Sequence, residues 1–304
     1  MTDLQPQAKQ KTSEDTSVLV DEILHSIFFL GNIQKPGMTP ESILNDTDLF
    51  EALKSRYPRP FELYSCQLPR RSPFSCVLDM MVHVVGQEKE EEIRSRLQKF
   101  ITDLEKDVPS KDLTRKEKKN LKNLISTVIC ISKKKSNNSV RYYGVSMSTS
   151  GCNAGQIMIA ASCLGAWDDY VAGAVMTYYP NKSKKEYFDG TIHIPNYVRC
   201  QAFNLRKGGE MPPCRSCGNM FGLNTDETDE SDYGNCAEAE SLSNLLKIEN
   251  KIKQDSRPKS IKCTADNRER AKRDADRALK NVLSRIEFNT WNGTFYTPES
   301  KKTA

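Results

Sequence analysis

Apolar positions give the first reading of this chain. Val18, Val20, Ile23, Leu24, Ile27, Phe28 and Leu30 recur at helical spacing, which predicts an amphipathic helix with one buried stripe. Asp15, Thr16 and Ser17 each offer an N-cap, and Gly31 offers a stop. A second helix is predicted from Thr39, with Pro40 at its first position and Ile43, Leu44, Leu49, Phe50 and Leu53 on one face. Tyr57, Pro58, Arg59 and Pro60 end it. Pro58, Pro60, Pro69 and Pro73 make residues 58–76 an irregular connection. Residues 77–85 form a short apolar run that fits either a helix or a buried strand. Residues 87–104 form a charged amphipathic helix with Ile93, Leu97, Phe100, Ile101 and Leu104 inward. His25 is expected to pack rather than to ligate, and Cys66 and Cys76 stand too far apart in sequence for a metal hook.

The periodicity changes near Thr127. Residues 127–131 are β-branched and apolar, residues 140–148 alternate, and Asn137 and Asn138 lie between them. This predicts a hairpin. Residues 152–167 are rich in small side chains, as a helix packed tightly on a sheet would be, with Thr149, Ser150 and Gly151 leading into it. Residues 173–179 are expected as the next strand, and residues 191–194 and 197–198 as extended chain. Residues 200–205 form a further strand that leads through Gly208 and Gly209 to Pro212. Helices are predicted over 236–252 and 265–288. The expected fold class is therefore α/β: a mixed β-sheet flanked by helices, preceded by a helical region. The expected divisions are a disordered stretch over 1–14, helices over 15–115, an α/β domain over 120–290 and a tail over 291–304. The polar stretch 108–120 is the expected boundary.

Charge and composition narrow the picture. The formal net charge is +5 over 304 residues, which permits contact with nucleic acid without requiring it. Residues 265–288 carry seven arginines and lysines beside a narrow apolar face, and 182–185 is a basic loop. Residues 224–233 are acidic and are expected as a surface loop. Residues 1–10 lack the apolar core of a signal peptide, and no apolar run is long enough to span a bilayer. A cytosolic or nuclear location with no membrane partner is expected. There, ten cysteines read as free thiols and metal ligands rather than disulfides.

The chemistry concentrates between residues 212 and 240. Pro213, Cys214, Arg215, Ser216 and Cys217 form a hook of two thiols, and Cys236 supplies a third if the loop between them doubles back. Three thiolates suit Zn2+, which takes soft sulfur in tetrahedral geometry and leaves one position over. Cys263, Cys200 and His193 are alternative fourth ligands that would close the site as a structural one. Glu238 follows Cys236 on the first turn of a helix and reaches over the metal without ligating it; a carboxylate there serves proton transfer. Glu240 lies roughly 200° around the helix from Glu238, so only one of the two faces the metal.

Pro213, Cys214 and Cys217 with Cys236, Ala237 and Glu238 resemble the paired motifs of the zinc-dependent cytidine/deoxycytidylate deaminase superfamily, here in reversed order. The resemblance covers these two short motifs. It implies a deaminase-like three-layer fold, zinc held by Cys214, Cys217 and Cys236, and Glu238 as the catalytic proton carrier. The implied reaction is hydrolytic deamination of a nucleoside, nucleotide, nucleobase or nucleic acid, with Asn153, Tyr143 or another hairpin residue fixing the base. The alternative is a non-catalytic zinc-stabilised module that binds a protein or RNA partner.

Overall fold

The computed structural model describes residues 4–107, 124–147 and 152–299. The expected boundary at 108–120 and the expected helix start at Thr149, Ser150 and Gly151 lie outside the described residues.

The N-terminal region is helical. α1 (Leu4–Asn32) starts upstream of the caps expected at Asp15, Thr16 and Ser17 and buries Leu24, Phe28, Phe29 and Leu30. The helix predicted from Thr39 divides into α2 (Pro40–Leu44) and α3 (Thr47–Arg56). The break has a local cause. Asn45 takes the left-handed conformation, which asparagine tolerates, and the Asp46 carboxylate accepts from Leu49 N at 2.9 Å to start a new helix. α4 (Pro58–Leu63) occupies part of the expected irregular connection. Residues 77–85 belong to α5 (Pro73–Val85), which starts with Ser72 as cap and Pro73 in its first turn. α6 (Glu90–Asp107) turns Ile93, Leu97 and Ile101 inward.

The remainder forms β1 (Val128–Lys134), β2 (Tyr142–Val145), α7 (Cys152–Gly165), α8 (Asp169–Met176), β3 (Val198–Asn204), β4 (Glu210–Met211), α9 (Arg215–Phe221), α10 (Ala237–Ile248), α11 (Asn250–Asp255) and α12 (Ala265–Arg285). Among the described residues the sheet has four strands in the order β2-β1-β3-β4, and every pairing between them is antiparallel. The expectation of a mixed sheet is thus corrected. So is the strand expected at 173–179: the Asp168 carboxylate accepts from Tyr170 N at 2.9 Å and starts α8 there instead. From Val171 to Met176 that helix is buried all round, and a short all-apolar run carries no period to tell helix from strand.

The strands alternate. Ile129, Ile131, Tyr143, Val145, Phe203 and Leu205 pack with α5 and α6 on one face. Cys130 and Ala202 meet Ala237 of α10 on the other. Both faces of the sheet are therefore covered by helices. Behind α10, residues of α7, α8 and α12 form the largest core, which Phe29, Leu30 and Leu68 of the N-terminal region also enter. Residues 291–299, expected as tail, dock on that region: Tyr296 N donates to Leu68 O at 2.8 Å. The Tyr296 ring stacks on fully buried His25 at 3.8 Å, and its hydroxyl donates to Asp21 at 2.5 Å. Burial lowers the His25 pKa to about 3, so the imidazole is neutral and packs as expected. Among the described residues no helix is long and apolar enough to cross a membrane.

Candidate metal centre

Two helix starts converge to make the site. The short β3–β4 hairpin delivers the chain to Cys214, which is the N-cap residue of α9, and Cys217 lies in the first turn of that helix. The acidic loop then folds back along α9. Arg215 N donates to Asp229 O at 3.1 Å, the Ser216 hydroxyl to Ser231 O at 2.7 Å, and Asn219 to the Tyr233 hydroxyl at 2.9 Å. Asp226, Glu227, Asp229 and Glu230 are exposed, as expected of a surface loop, and the stretch also doubles back and carries the third cysteine to the hook. At Gly234 φ is +94°, and a Cβ there would lie 2.9 Å from Ile159 and Val175, so only glycine fits the turn. Met147 N donates to Asn235 O at 3.0 Å, which fixes the segment to the end of β2. Cys236 follows as the N-cap residue of α10.

The Cys214, Cys217 and Cys236 sulfurs all lie within 4.8 Å of one another, with Cys214 and Cys236 at 3.4 Å. Zinc–sulfur bonds of about 2.3 Å at tetrahedral angles put sulfurs about 3.8 Å apart. The cluster therefore fits a metal ion in both donor type and spacing. Hydrogen bonds from the Cys217 and Cys236 thiols hold the Cys214 sulfur toward its thiolate. The amides at the two helix starts favour negative charge in the same place.

Among the described residues no fourth His, Cys, Asp or Glu atom joins the cluster at that spacing. Each expected fourth ligand is engaged elsewhere. The Cys200 sulfur lies 3.5 Å from that of Cys130, Cys263 accepts from Arg268 at 3.4 Å, and His193 lies against Gly222 at the opposite end of α9.

Glu238 is 4% exposed. Burial raises its carboxyl to about 7; the negative charge of Cys214 adds to this, and a hydrogen bond with Cys217 opposes it. The side chain thus sits beside the sulfurs, where the sequence places it. Glu240 faces away, as the helical rotation requires, but it is buried as well. Its Oε2 accepts from Val145 N at 2.8 Å, and burial raises its carboxyl to about 7. Glu240, Arg71, Ser75, Met147 and Trp167 line a small enclosed cavity against Cys236. Arg71 enters from the chain between α4 and α5, where it forks onto Glu22 at 3.0 and 2.8 Å and also pairs with Asp79. The sequence pattern gives no signal for Arg71, Ser75 or Trp167 at this place. Tyr143, expected as a base-fixing residue, points to the other face of the sheet and donates to Gln87 O at 2.7 Å. Asn153 is half-buried in the first turn of α7, and Gly151, the expected pocket wall beside it, lies outside the described residues.

Searches against protein-family models, curated proteins and solved structures find no match to this chain.

Proposed function

We propose that Cys214, Cys217 and Cys236 hold a zinc ion and that the chain is a hydrolytic deaminase of a nucleoside, nucleotide or nucleic-acid base, with Glu238 as its proton carrier. The observation that carries this reading is the meeting of three sulfurs with a buried carboxyl on one helix start and, among the described residues, no fourth protein ligand beside them. Helices on both faces of the antiparallel sheet are consistent with a deaminase-like layered arrangement. When bound, zinc supplies a Lewis acid that makes water nucleophilic near neutral pH. Glu238 supplies the rest. Buried beside the sulfurs, its carboxylate would accept a proton from the attacking water and return it to the departing amino group. The amidine carbon gains a carbonyl oxygen and loses ammonia, and the two protons of water end on the ring nitrogen and the amine.

A second reading rests on the size of the cavity beside Cys236, about 10 Å³, which holds about one water. In that reading zinc is a staple that fixes the loop 224–235 against α10, and the protein binds a partner without catalysis. One set of experiments separates them. The purified protein should carry about one zinc per chain by elemental analysis, and Cys214→Ser or Cys236→Ser should release it. Glu238→Gln should keep both the zinc and the unfolding temperature but abolish ammonia release from cytidine- or adenosine-like substrates. Zinc binding that stabilises the fold, with no ammonia from any base, nucleoside, nucleotide or strand, selects the staple.

A further inference from the structure

A second pair of sulfurs meets outside the cluster of Cys214, Cys217 and Cys236. Cys130 of β1 and Cys200 of β3 hold their sulfurs 3.5 Å apart. The strands pair with Cys130 opposite Ala202 and Ser132 opposite Cys200, so the two cysteines are diagonal neighbours. Both lie on the face that α10 covers, where Cys130, Cys200 and Ala202 pack with Ala237. They differ in access: Cys130 is fully buried and Cys200 half-buried. The thiols of Cys66 and Cys76, by contrast, donate to the carbonyls of Leu63 and Ser72, each at 3.7 Å.

Burial holds Cys130 as a thiol, and its hydrogen bond with Cys200 and the nearby charge of Glu238 act in the same direction. It is therefore a poor first nucleophile. Cys200 is the sulfur that a reagent from solvent reaches, and Cys130 is already in contact with it. The register also sets the character of a bond between them. Diagonal neighbours hold their Cα atoms roughly 7–8 Å apart, beyond the roughly 4.4–6.8 Å that disulfides usually span. Closing the bond thus draws β1 and β3 together by about 1 Å. A strained bond of this kind is readily reduced again. The start of α10 rides on these strands, because Ala237 rests against Cys130 and Ala202.

We propose that Cys200 and Cys130 form a modification site: a dithiol that exchanges with a small-molecule disulfide and shifts the start of α10 when it closes. Cys200, as thiolate, attacks one sulfur of the external disulfide. A new S–S bond forms to Cys200, and the departing half takes up the proton that Cys200 released. Cys130 then attacks the Cys200 sulfur and passes its own proton to the second departing thiolate. The chain loses two electrons and two protons, and the external disulfide gains them as two thiols. No metal takes part.

The purified chain treated with oxidised glutathione tests this, its cysteines mapped by alkylation and mass spectrometry. The expected product links Cys130 to Cys200 and is reversed by dithiothreitol. The two positions should differ when removed singly. Cys130→Ala should stop with glutathione attached to Cys200, because no second thiol releases it. Cys200→Ala should leave Cys130 free, because that thiol is buried. Unfolding temperatures establish that both variants are folded. In the linked wild-type chain, amide hydrogen exchange over 237–242 should be about tenfold faster than in Cys200→Ala treated alike. Bonds formed only among Cys214, Cys217 and Cys236, glutathione on Cys130 of Cys200→Ala, or equal exchange in the two treated proteins would overturn the proposal. None of these readouts depends on zinc or on ammonia release, so failure of the deaminase reading would leave the proposal standing.

Discussion

The two faces of the sheet are made from alternate residues of the same strands. Toward α5 and α6 they present Ile129, Ile131, Tyr143, Val145, Phe203 and Leu205. Toward α10 they present Cys130, Ser132, Gly144 and Ala202. Large side chains on the first face bury area, and each is worth about 1.5–3 kcal/mol when fully covered. Small side chains on the second face contribute little area but let a helix backbone come close. At Gly144 an added Cβ would fall on Ser241 N and lie 2.7 Å from Ala237 O. That approach sets the height of α10 above the sheet, and with it the position of Cys236, Glu238 and Glu240 at its start. One face gives stability and the other gives placement.

The largest break in this comparison should come from the smallest substitution. Gly144→Ala puts a methyl into backbone atoms that cannot rotate away, so we expect a loss of about 3 kcal/mol or more. A displaced α10 should lower occupancy of the proposed metal site even in the protein that remains folded, which elemental analysis and chemical unfolding would read together. Ile131→Ala, on the opposite face, should cost about 3 kcal/mol by leaving a cavity but leave occupancy of the proposed metal site unchanged. Equal effects of the two substitutions on zinc would erase the distinction between the faces.

A pH series sharpens the comparison on the α10 side. Burial raises the Glu240 carboxyl from its ordinary 4.5 to about 7. Between those values the folded chain keeps a proton that the unfolded chain has released, so stability falls as pH rises through the window and levels off above it. Glu240→Gln should remove about 3 kcal/mol of that fall, measured by urea unfolding from pH 4.5 to 8 at matched metal content. A pH profile identical to wild type would place Glu240 in water rather than against β2. The smallest effect is expected at Ser241, whose hydroxyl donates to Tyr142 O at 2.9 Å and meets Ser132 at 2.7 Å. Ser241→Ala should cost about 1 kcal/mol without disturbing the metal centre.

Local chemistry was legible in the chain itself. The stripe of α1, the inward face of α6, the hairpin of β1 and β2, and the last helix all follow from spacings of a few residues, because apolar periodicity and turn residues act locally. The cysteine hook was legible for the same reason, and so was the rotation that sends Glu238 and Glu240 in different directions. The errors lie where that signal is silent or competes. Residues 173–179 are apolar without a period, and the Asp168 cap made them a helix. Asn45 and Asp46 ended one helix and began another inside a single apolar stripe.

The sequence by itself thus determined many of the local elements, the three cysteines and the carboxyl near them. Only the tertiary structure decided that Cys236 meets Cys214 and Cys217, that Arg71 and Glu240 share a cavity with Cys236, and that Tyr296 stacks on His25. It also decided that Tyr187 meets Arg270 and Asp274 of α12. These partners stand far apart along the chain and are joined by close packing, and the two decisive approaches, at Gly144 and Gly234, depend on atoms that are not there. A missing Cβ leaves no periodic mark in a sequence, yet it fixes how near two backbones come.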